Sequence, residues 1–190
     1  MTDDVFKNDP QRLYLPFLGG FYDRIAQPMA WVIFRIAIGG FLALEGWPKI
    51  THPFAQVGFV ESLHFYPGVF WSPLLAALQF FGGILIMLGL FTRAAALANG
   101  IMLAITLYFH YTHPYGAAFL TPAGIEALKT NAELFTAAAQ YRLADGGANF
   151  LTQVQDKAEL ASWFWTGGTF LYAAFGGGYC SVDRLLKKVF

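Results

Sequence analysis

The sequence has few charged residues and a single cysteine. Charged side chains make up 13% of its 190 residues, whereas an ordinary globular protein has about 25%. Twelve basic residues balance twelve acidic ones, so the chain lacks the basic excess of a nucleic-acid-binding protein, and we expect no nucleic-acid partner. Because Cys180 has no second cysteine to pair with, the sequence excludes an internal disulfide and a metal site built from cysteines.

Hydrophobic residues, by contrast, are abundant. They make up 56% of the chain, and aromatic residues make up 18%, which is more than one soluble core of this size needs. A helix of ~20 apolar residues crosses the hydrocarbon core of a bilayer, which is about 30 Å thick. Alternation typical of β-strands is absent, so helices are the expected spanning elements. The composition therefore predicts an all-α integral membrane protein surrounded by a lipid bilayer.

Four segments are long and apolar enough to span a bilayer. Three of them contain no Asp, Glu, Lys or Arg, and the first contains only Arg35 and Glu45. We predict a bundle of four transmembrane helices, which lie near residues 28–47, 71–91, 94–113 and 160–178. The predicted membrane domain covers residues 28–186, an interfacial arm (residues 1–27) precedes it, and a basic tail (residues 187–190) ends the chain.

The loop between the third and fourth predicted helices, residues 114–159, is too long for a simple turn. Thr121 and Pro122 are typical of a helix start, and Gly146 and Gly147 are typical of a helix end. Apolar residues between them follow spacings of three and four, which predicts one extra amphipathic helix on the membrane surface or on a partner. These residues are Ile125, Leu128, Ala132, Phe135 and Ala139.

The basic residues near the predicted helix ends indicate an orientation. Seven lie on the side of the two termini, and four lie on the opposite side. Basic residues are enriched in cytoplasmic loops, and an even number of spans returns both termini to one side. We therefore expect cytoplasmic termini and a periplasmic insertion at residues 114–159.

Small and polar residues form a stripe at helical spacing in each of the first three predicted helices. One interpretation is tight helix packing, with the charge of Arg35 satisfied by carbonyls or by a carboxylate. The other is a ligand-binding or redox role, since ionisable groups inside a membrane are expensive. The packing residues are Gly39, Gly46, Gly82, Gly83, Gly89 and Asn99, and the cofactor-binding candidates are Arg35, Trp47, Gln79, His110 and His113.

Specific partners follow from these positions. We expect Arg35 to pair across helices with Gln79 or another inward group, and Glu45 to pair with Lys49 four residues later. His110 and His113 are three residues apart, so one metal or one quinone carbonyl is within reach of both. Packing and hydrogen bonding at the membrane interface is the alternative interpretation of these histidines.

Three motifs together resemble the DoxX family of small bacterial membrane proteins. They are Arg35 to Gly39 continuing to Glu45-Gly46-Trp47-Pro48-Lys49, the glycine-rich segment Gly82 to Arg93, and Gly176 to Asp183. The resemblance implies a four-helix protein of the bacterial inner membrane. It also implies a relationship to membrane subunits of thiosulfate:quinone oxidoreductase, and some members of the family organise soluble redox enzymes. In the third motif we expect Ser181 and Asp183 to stop the last helix, with Asp183 near Arg93 or Arg184.

The leading functional hypothesis is a membrane subunit that anchors or organises a larger redox assembly of membrane or periplasmic subunits. Six apolar residues outside the predicted spans are candidates for docking a partner: Tyr14, Phe17, Phe21, Ile125, Leu128 and Phe135. The alternative is a quinone-reactive oxidoreductase subunit, with a quinone as cofactor. A small-solute transporter is disfavoured because no inverted repeat is visible. Whether the chain is itself an enzyme stays open.

Overall fold

The computed structural model describes residues 9–113, 122–145 and 147–188, which are helical without any β-strand. Short turns at Pro10–Arg12, Pro16–Leu18, Gly19–Phe21 and Tyr22–Ala26 lead into the first long helix. The helices are α1 (Gln27–Thr51), α2 (Val57–Ser62), α3 (Gly68–Leu88), α4 (Thr92–Thr112), α5 (Pro122–Thr130), α6 (Ala137–Leu143), α7 (Ala148–Phe175) and α8 (Val182–Leu185).

Three helical segments of the described chain are long and apolar enough to cross a membrane. They are Pro16–Thr51, Gly68–Leu88 and Thr92–Thr112. The predictions of an all-α chain and of a membrane protein are therefore confirmed. Helix α7 is longer, at 28 residues, but its Trp, Tyr, Thr and Gly residues lower its hydropathy and it is not among the three.

Helix α1 continues through Pro48, beyond the predicted end near residue 47. It ends at Thr51. The Thr51 hydroxyl donates hydrogen bonds to the carbonyls of Trp47 and Pro48, at 3.1 and 3.0 Å. Since these carbonyls lie in the last turn, where backbone acceptors lack partners, the threonine supports the extra turn.

The insertion between α4 and α7 contains two short helices and a 3-10 turn, Ala132–Leu134. The prediction of one continuous amphipathic helix was wrong because local side chains end it early. Asn131 Nδ2 donates to the Ala127 carbonyl at 2.8 Å, and Thr136 Oγ1 accepts from the Ala139 amide at the start of α6. Gln140 Nε2 bridges the break by donating to the carbonyls of Ala132 and Phe135. The predicted cap residue Thr121 lies outside the described residues.

Helix α7 begins at Ala148, well before the predicted start near residue 160. The Asp145 carboxylate explains this start. Its Oδ1 accepts from the Gly147 amide at 3.0 Å, and its Oδ2 accepts from the Asn149 amide at 2.8 Å. A carboxylate that accepts the first backbone N–H groups stabilises a helix N-terminus. The spacing of apolar residues gives no signal for such a cap, so the predicted start was too late.

The chain divides into two compact units. Unit 1 lies within residues 1–102 and 167–190, and unit 2 lies within residues 103–166. In unit 1, α1 and α3 meet at glycines: a Cβ atom on Gly39 would lie 2.5 Å from the Gly83 carbonyl oxygen. Gly46 likewise lies against the backbone of Phe80. Their missing side chains let the two backbones approach closely, as small residues do in membrane helices.

Candidate functional site

The guanidinium of Arg35 is held by the loop that follows α7. Arg35 is 2% exposed. Its Nη1 donates to the carbonyls of Gly177 and Tyr179, the latter at 3.0 Å, and its Nη2 donates to the Cys180 carbonyl at 2.9 Å. Backbone carbonyls therefore satisfy the charge of Arg35, as the packing interpretation expected, whereas Gln79, the other expected partner, bonds to Lys49.

The backbone of this loop directs its carbonyls towards Arg35. Gly176, Gly178 and Cys180 have φ angles of +78°, +62° and +50°, in the left-handed region that glycine enters at little cost. We call Arg35 and residues 176–181 the arginine–loop cluster.

Two aromatic residues extend the arginine–loop cluster. Trp31 Nε1 donates to the Gly177 carbonyl at 3.2 Å, and the fully buried Tyr172 donates its hydroxyl to the Trp31 carbonyl at 2.7 Å. The Trp31 and Tyr172 rings pack edge to face, with centroids 5.1 Å apart. Sequence reasoning missed Tyr172, although a tyrosine within a long apolar helix is a signal, because its buried hydroxyl needs a partner.

Asp183 ties the same loop region to the turn between α3 and α4. Its Oδ1 accepts from the Phe91 amide at 2.8 Å, and its Oδ2 accepts from the amide and the hydroxyl of Thr92 at 3.0 and 2.7 Å. The carboxylate therefore caps α4, where it also complements the helix dipole. Arg184 instead lies over the Tyr179 ring, 5.1 Å from its centroid.

Two further packing candidates lie beside this turn. Gly89 ends α3 with a φ angle of +73°, and its carbonyl accepts from the Asp183 amide at 2.9 Å. Ser181 caps α8, because its hydroxyl accepts from the Arg184 amide at 3.2 Å and donates to the Gly178 carbonyl at 2.8 Å. Hydrogen bonds therefore fix both the end of α3 and the start of α8.

A second polar contact joins α1 and α3. Lys49 Nζ donates to Gln79 Oε1 at 2.6 Å, and the expected partner Glu45 acts on the same ammonium electrostatically without forming an ion pair within 4.0 Å. Gln79 is buried. Trp47, a predicted cofactor contact, is exposed and packs its ring against Phe80 with centroids 5.6 Å apart.

Asn99 joins α4 to α3. Its Nδ2 donates to the carbonyls of Leu78 and Ala95, at 3.2 and 2.9 Å. The amide lies against Gly82, where a side chain would collide with it. The asparagine therefore acts in helix packing, which is the role that polar residues have between membrane helices.

The two candidate site histidines, His110 and His113, lie in unit 2 and have different partners. His110 is buried, with its Nδ1 2.9 Å from Ser162 Oγ. Gln155 Nε2 donates to the His110 carbonyl and to Glu159 Oε1, both at 2.6 Å. His113 is exposed and stacks on Phe109, with ring centroids 4.4 Å apart. Among the described residues, no group of three or more His, Cys, Asp or Glu side chains has a metal-binding arrangement.

The family comparison gives one match. Residues 30–112 match the family model of DoxX. This match, over residues 30–112 of the 190-residue chain, supports membership of the DoxX family. A search of curated proteins and a search of solved structures each found no match.

The DoxX match ends at residue 112, before the loop after α7 whose carbonyls bind Arg35. The matched residues include Arg35 and Gln79. They also include Phe91 and Thr92, whose backbone amides donate to Asp183. The arginine–loop cluster therefore combines Arg35, which lies inside the match, with residues 176–181, which lie outside it. Sequence reasoning also missed Ser162, which is a common residue without a motif of its own.

The predicted docking residues with described side chains are exposed to different extents. Tyr14 and Phe17 are 104% and 78% exposed, and Phe21 is exposed as well. Phe135 is half-buried. The side chains of Ile125 and Leu128 lie outside the described part of the chain.

Proposed function

We propose that this DoxX protein is a membrane subunit that anchors or organises a larger redox assembly. The observation that supports this role is that two buried polar side chains bond to backbone groups of the chain itself. Arg35 donates to three backbone carbonyls, and Asp183 accepts from two backbone amides. These hydrogen bonds stabilise the helices and the turns, so the groups that form them are not available to bind a substrate. A packing role of this kind supports a scaffold more than a catalytic subunit.

The exposed aromatic residues of the arm support a partner-binding role. Tyr14, Phe17 and Phe21 precede α1, and each is exposed. Tyr14 precedes the first candidate span, and Phe17 and Phe21 lie at its start, where exposed apolar groups favour contact with a partner or with the membrane surface. The redox character of the assembly rests on the DoxX resemblance alone.

We also propose that α7 is a fourth span. At 1.5 Å per residue its 28 residues are about 42 Å long, which exceeds the ~30 Å hydrocarbon core. Its charged residues, such as Glu159, lie in its first half, and none occurs from Leu160 to its end at Phe175. With four spans, the basic residues near the termini favour cytoplasmic termini in a bacterial inner membrane.

Purification in a mild detergent tests the anchoring role. We expect native mass spectrometry to detect the full chain in a complex with other protein subunits. Replacing Tyr14, Phe17 and Phe21 by serine should release these subunits from a protein that still folds. The control replaces the exposed Leu185 and Leu186 by serine and should leave the complex intact. A wild-type chain that appears alone would contradict the proposal.

A quinone-reactive subunit is the second candidate. The observation that favours it is the buried pair of His110 and Ser162, because a buried imidazole can exchange a proton with a quinone oxygen. In this alternative the cofactor is a quinone, and His110 contacts it.

A further inference from the structure

The connection between α1 and α3 contains almost no charge. We call residues 53–67, which include α2, the α2 segment. Its single Asp, Glu, Lys or Arg side chain is Glu61, although charged residues make up about 25% of an ordinary globular protein. The side chains of Phe54, Phe59 and Tyr66 are exposed. The surface of the α2 segment is therefore aromatic and nearly uncharged, which is unusual for a connection that faces water.

Polar groups of the α2 segment form hydrogen bonds within the chain. The half-buried Glu61 carboxylate accepts from the Gly68 amide at 3.0 Å, where the N-terminal end of the α3 dipole also stabilises its negative charge. The Ser62 hydroxyl donates to the Phe59 carbonyl at 2.6 Å. The exposed His64 has an apolar ring with a polar tip, a combination that suits the headgroup level of a membrane. Groups satisfied in this way lose little when lipid replaces water.

The length of α3 sets the depth of the α2 segment in the membrane. Helix α3 is a candidate span of 21 residues, which is about 32 Å at 1.5 Å per residue and close to the ~30 Å hydrocarbon core. Its first residue, Gly68, therefore lies at the boundary between hydrocarbon and headgroups. Glu61 is bonded to Gly68, and the Pro53 carbonyl accepts from Ser72, one turn further along α3, at 2.5 Å. These bonds hold the α2 segment at the same boundary.

The exposed surface of the α2 segment continues into a lipid-facing stripe of α3. Four exposed apolar residues of α3 follow spacings of four, seven and seven, so they lie on one face of the helix. They are Phe70, Leu74, Phe81 and Leu88. In a helix that crosses a bilayer, such a face contacts lipid chains. Tyr66 and Val69, both exposed, lie just before this stripe along the chain, and no charged residue separates them from it.

We propose that the α2 segment lies in the headgroup–acyl boundary of the bilayer and inserts Phe54, Phe59 and Tyr66 among phospholipid chains. Aromatic side chains are enriched at this level of membrane proteins. Because the segment has no Lys or Arg, its insertion depends on apolar burial and does not require anionic lipids. This inference does not depend on the anchoring role, because it rests on contacts between the α2 segment and α3.

The experiment measures the depth of spin labels on the full chain in phosphatidylcholine nanodiscs. With Cys180→Ser as the background, a nitroxide is attached at Phe59→Cys and, in a second variant, at Phe54→Cys. Its accessibility to oxygen, which concentrates in hydrocarbon, is divided by its accessibility to a water-soluble nickel chelate. We expect this ratio to be severalfold higher at both positions than at Glu126→Cys. The Glu126 control is exposed and forms an ion pair with Lys129.

Two further comparisons make the test specific. A label at Phe81→Cys, on the exposed stripe of α3, should give the highest ratio, because this residue lies deeper in the hydrocarbon. Adding phosphatidylglycerol to the nanodiscs should leave the ratios at residues 54 and 59 unchanged. Ratios at both positions as low as that at Glu126→Cys would overturn the proposal, and so would ratios that rise severalfold only with the anionic lipid. Labels that neither reagent reaches would show that protein covers the α2 segment, which would overturn it as well.

Discussion

At the residue scale, the buried polar side chains act mainly on backbone groups. Arg35 has no carboxylate within ion-pair distance among the described residues, yet three loop carbonyls surround its guanidinium. The planar guanidinium presents several donors in a fixed geometry, so one side chain can hold a loop whose carbonyls point in different directions. Lysine has the same charge but lacks this geometry.

We predict that Arg35→Leu destabilises the protein strongly. Each buried carbonyl left without a donor costs about 1–3 kcal/mol. Thermal unfolding in detergent measures the effect, and Arg35→Lys should restore only part of the stability. Arg184→Met is the control, because Arg184 is exposed and its guanidinium lies over the Tyr179 ring rather than on the carbonyls that bind Arg35. Equal stability of Arg35→Leu and the wild type would refute the role of the arginine–loop cluster.

A second residue-scale prediction separates packing from quinone binding at His110. His110→Ala leaves the buried Ser162 hydroxyl without its imidazole partner, so we expect a loss of stability of about 1–3 kcal/mol. If the anchoring role is right, the amount of quinone in lipid extracts of the purified protein should not change. A selective loss of bound quinone in His110→Ala, but not in His113→Ala, would favour the quinone-reactive alternative.

At the element scale, glycine contacts set the distance between α1 and α3. Gly39 and Gly83 face each other, and a Cβ atom on either would lie under 3 Å from the carbonyl oxygen of the other. Backbone atoms cannot move aside as flexible side chains do, so the helices must separate when a side chain is added. The contact therefore depends on the absence of side chains at both positions.

We predict opposite effects for two glycine-to-alanine changes. Gly39→Ala should destabilise the α1–α3 pair by about 1–3 kcal/mol, because the added methyl group overpacks the contact. Gly167→Ala, in α7, adds a methyl group with no atom within 4 Å, and it should stabilise the helix by about 0.5–1 kcal/mol. Unfolding midpoints of the two variants in one detergent decide this. Similar midpoints would contradict the close contact.

At the scale of the whole molecule, three candidate spans and a DoxX match establish a membrane protein. Its orientation remains a prediction from the basic residues. Cys180 is a natural reporter for that orientation, because it is exposed and is the single cysteine of the sequence.

We predict that a membrane-impermeant maleimide labels Cys180 in inside-out membrane vesicles and not in right-side-out vesicles. This follows if the end of α7 lies on the cytoplasmic side. The matched control carries Cys180→Ser together with His52→Cys, since His52 is exposed after α1. Its labelling should be reversed. Labelling of Cys180 from the outside would refute the predicted orientation.

The sequence by itself determined the helical class, the membrane environment and the resemblance to DoxX over residues 30–112. These follow from long apolar runs and from motifs within single segments, because backbone groups in lipid must form hydrogen bonds along their own helix. It predicted less well where a side chain and its neighbours decide the outcome, as at Asn131 and Thr136, which divide the expected amphipathic helix.

Only the tertiary structure decided the partners of the buried polar residues. Arg35 bonds to carbonyls more than 140 positions later in the chain, and Lys49 bonds to Gln79 rather than to the carboxylate one turn away. Carbonyl groups occur at every residue, so residue types do not reveal which of them accept these bonds. Their directions depend on positive φ angles at Gly176, Gly178 and Cys180, and the residue types alone do not specify such angles, since a cysteine rarely adopts one.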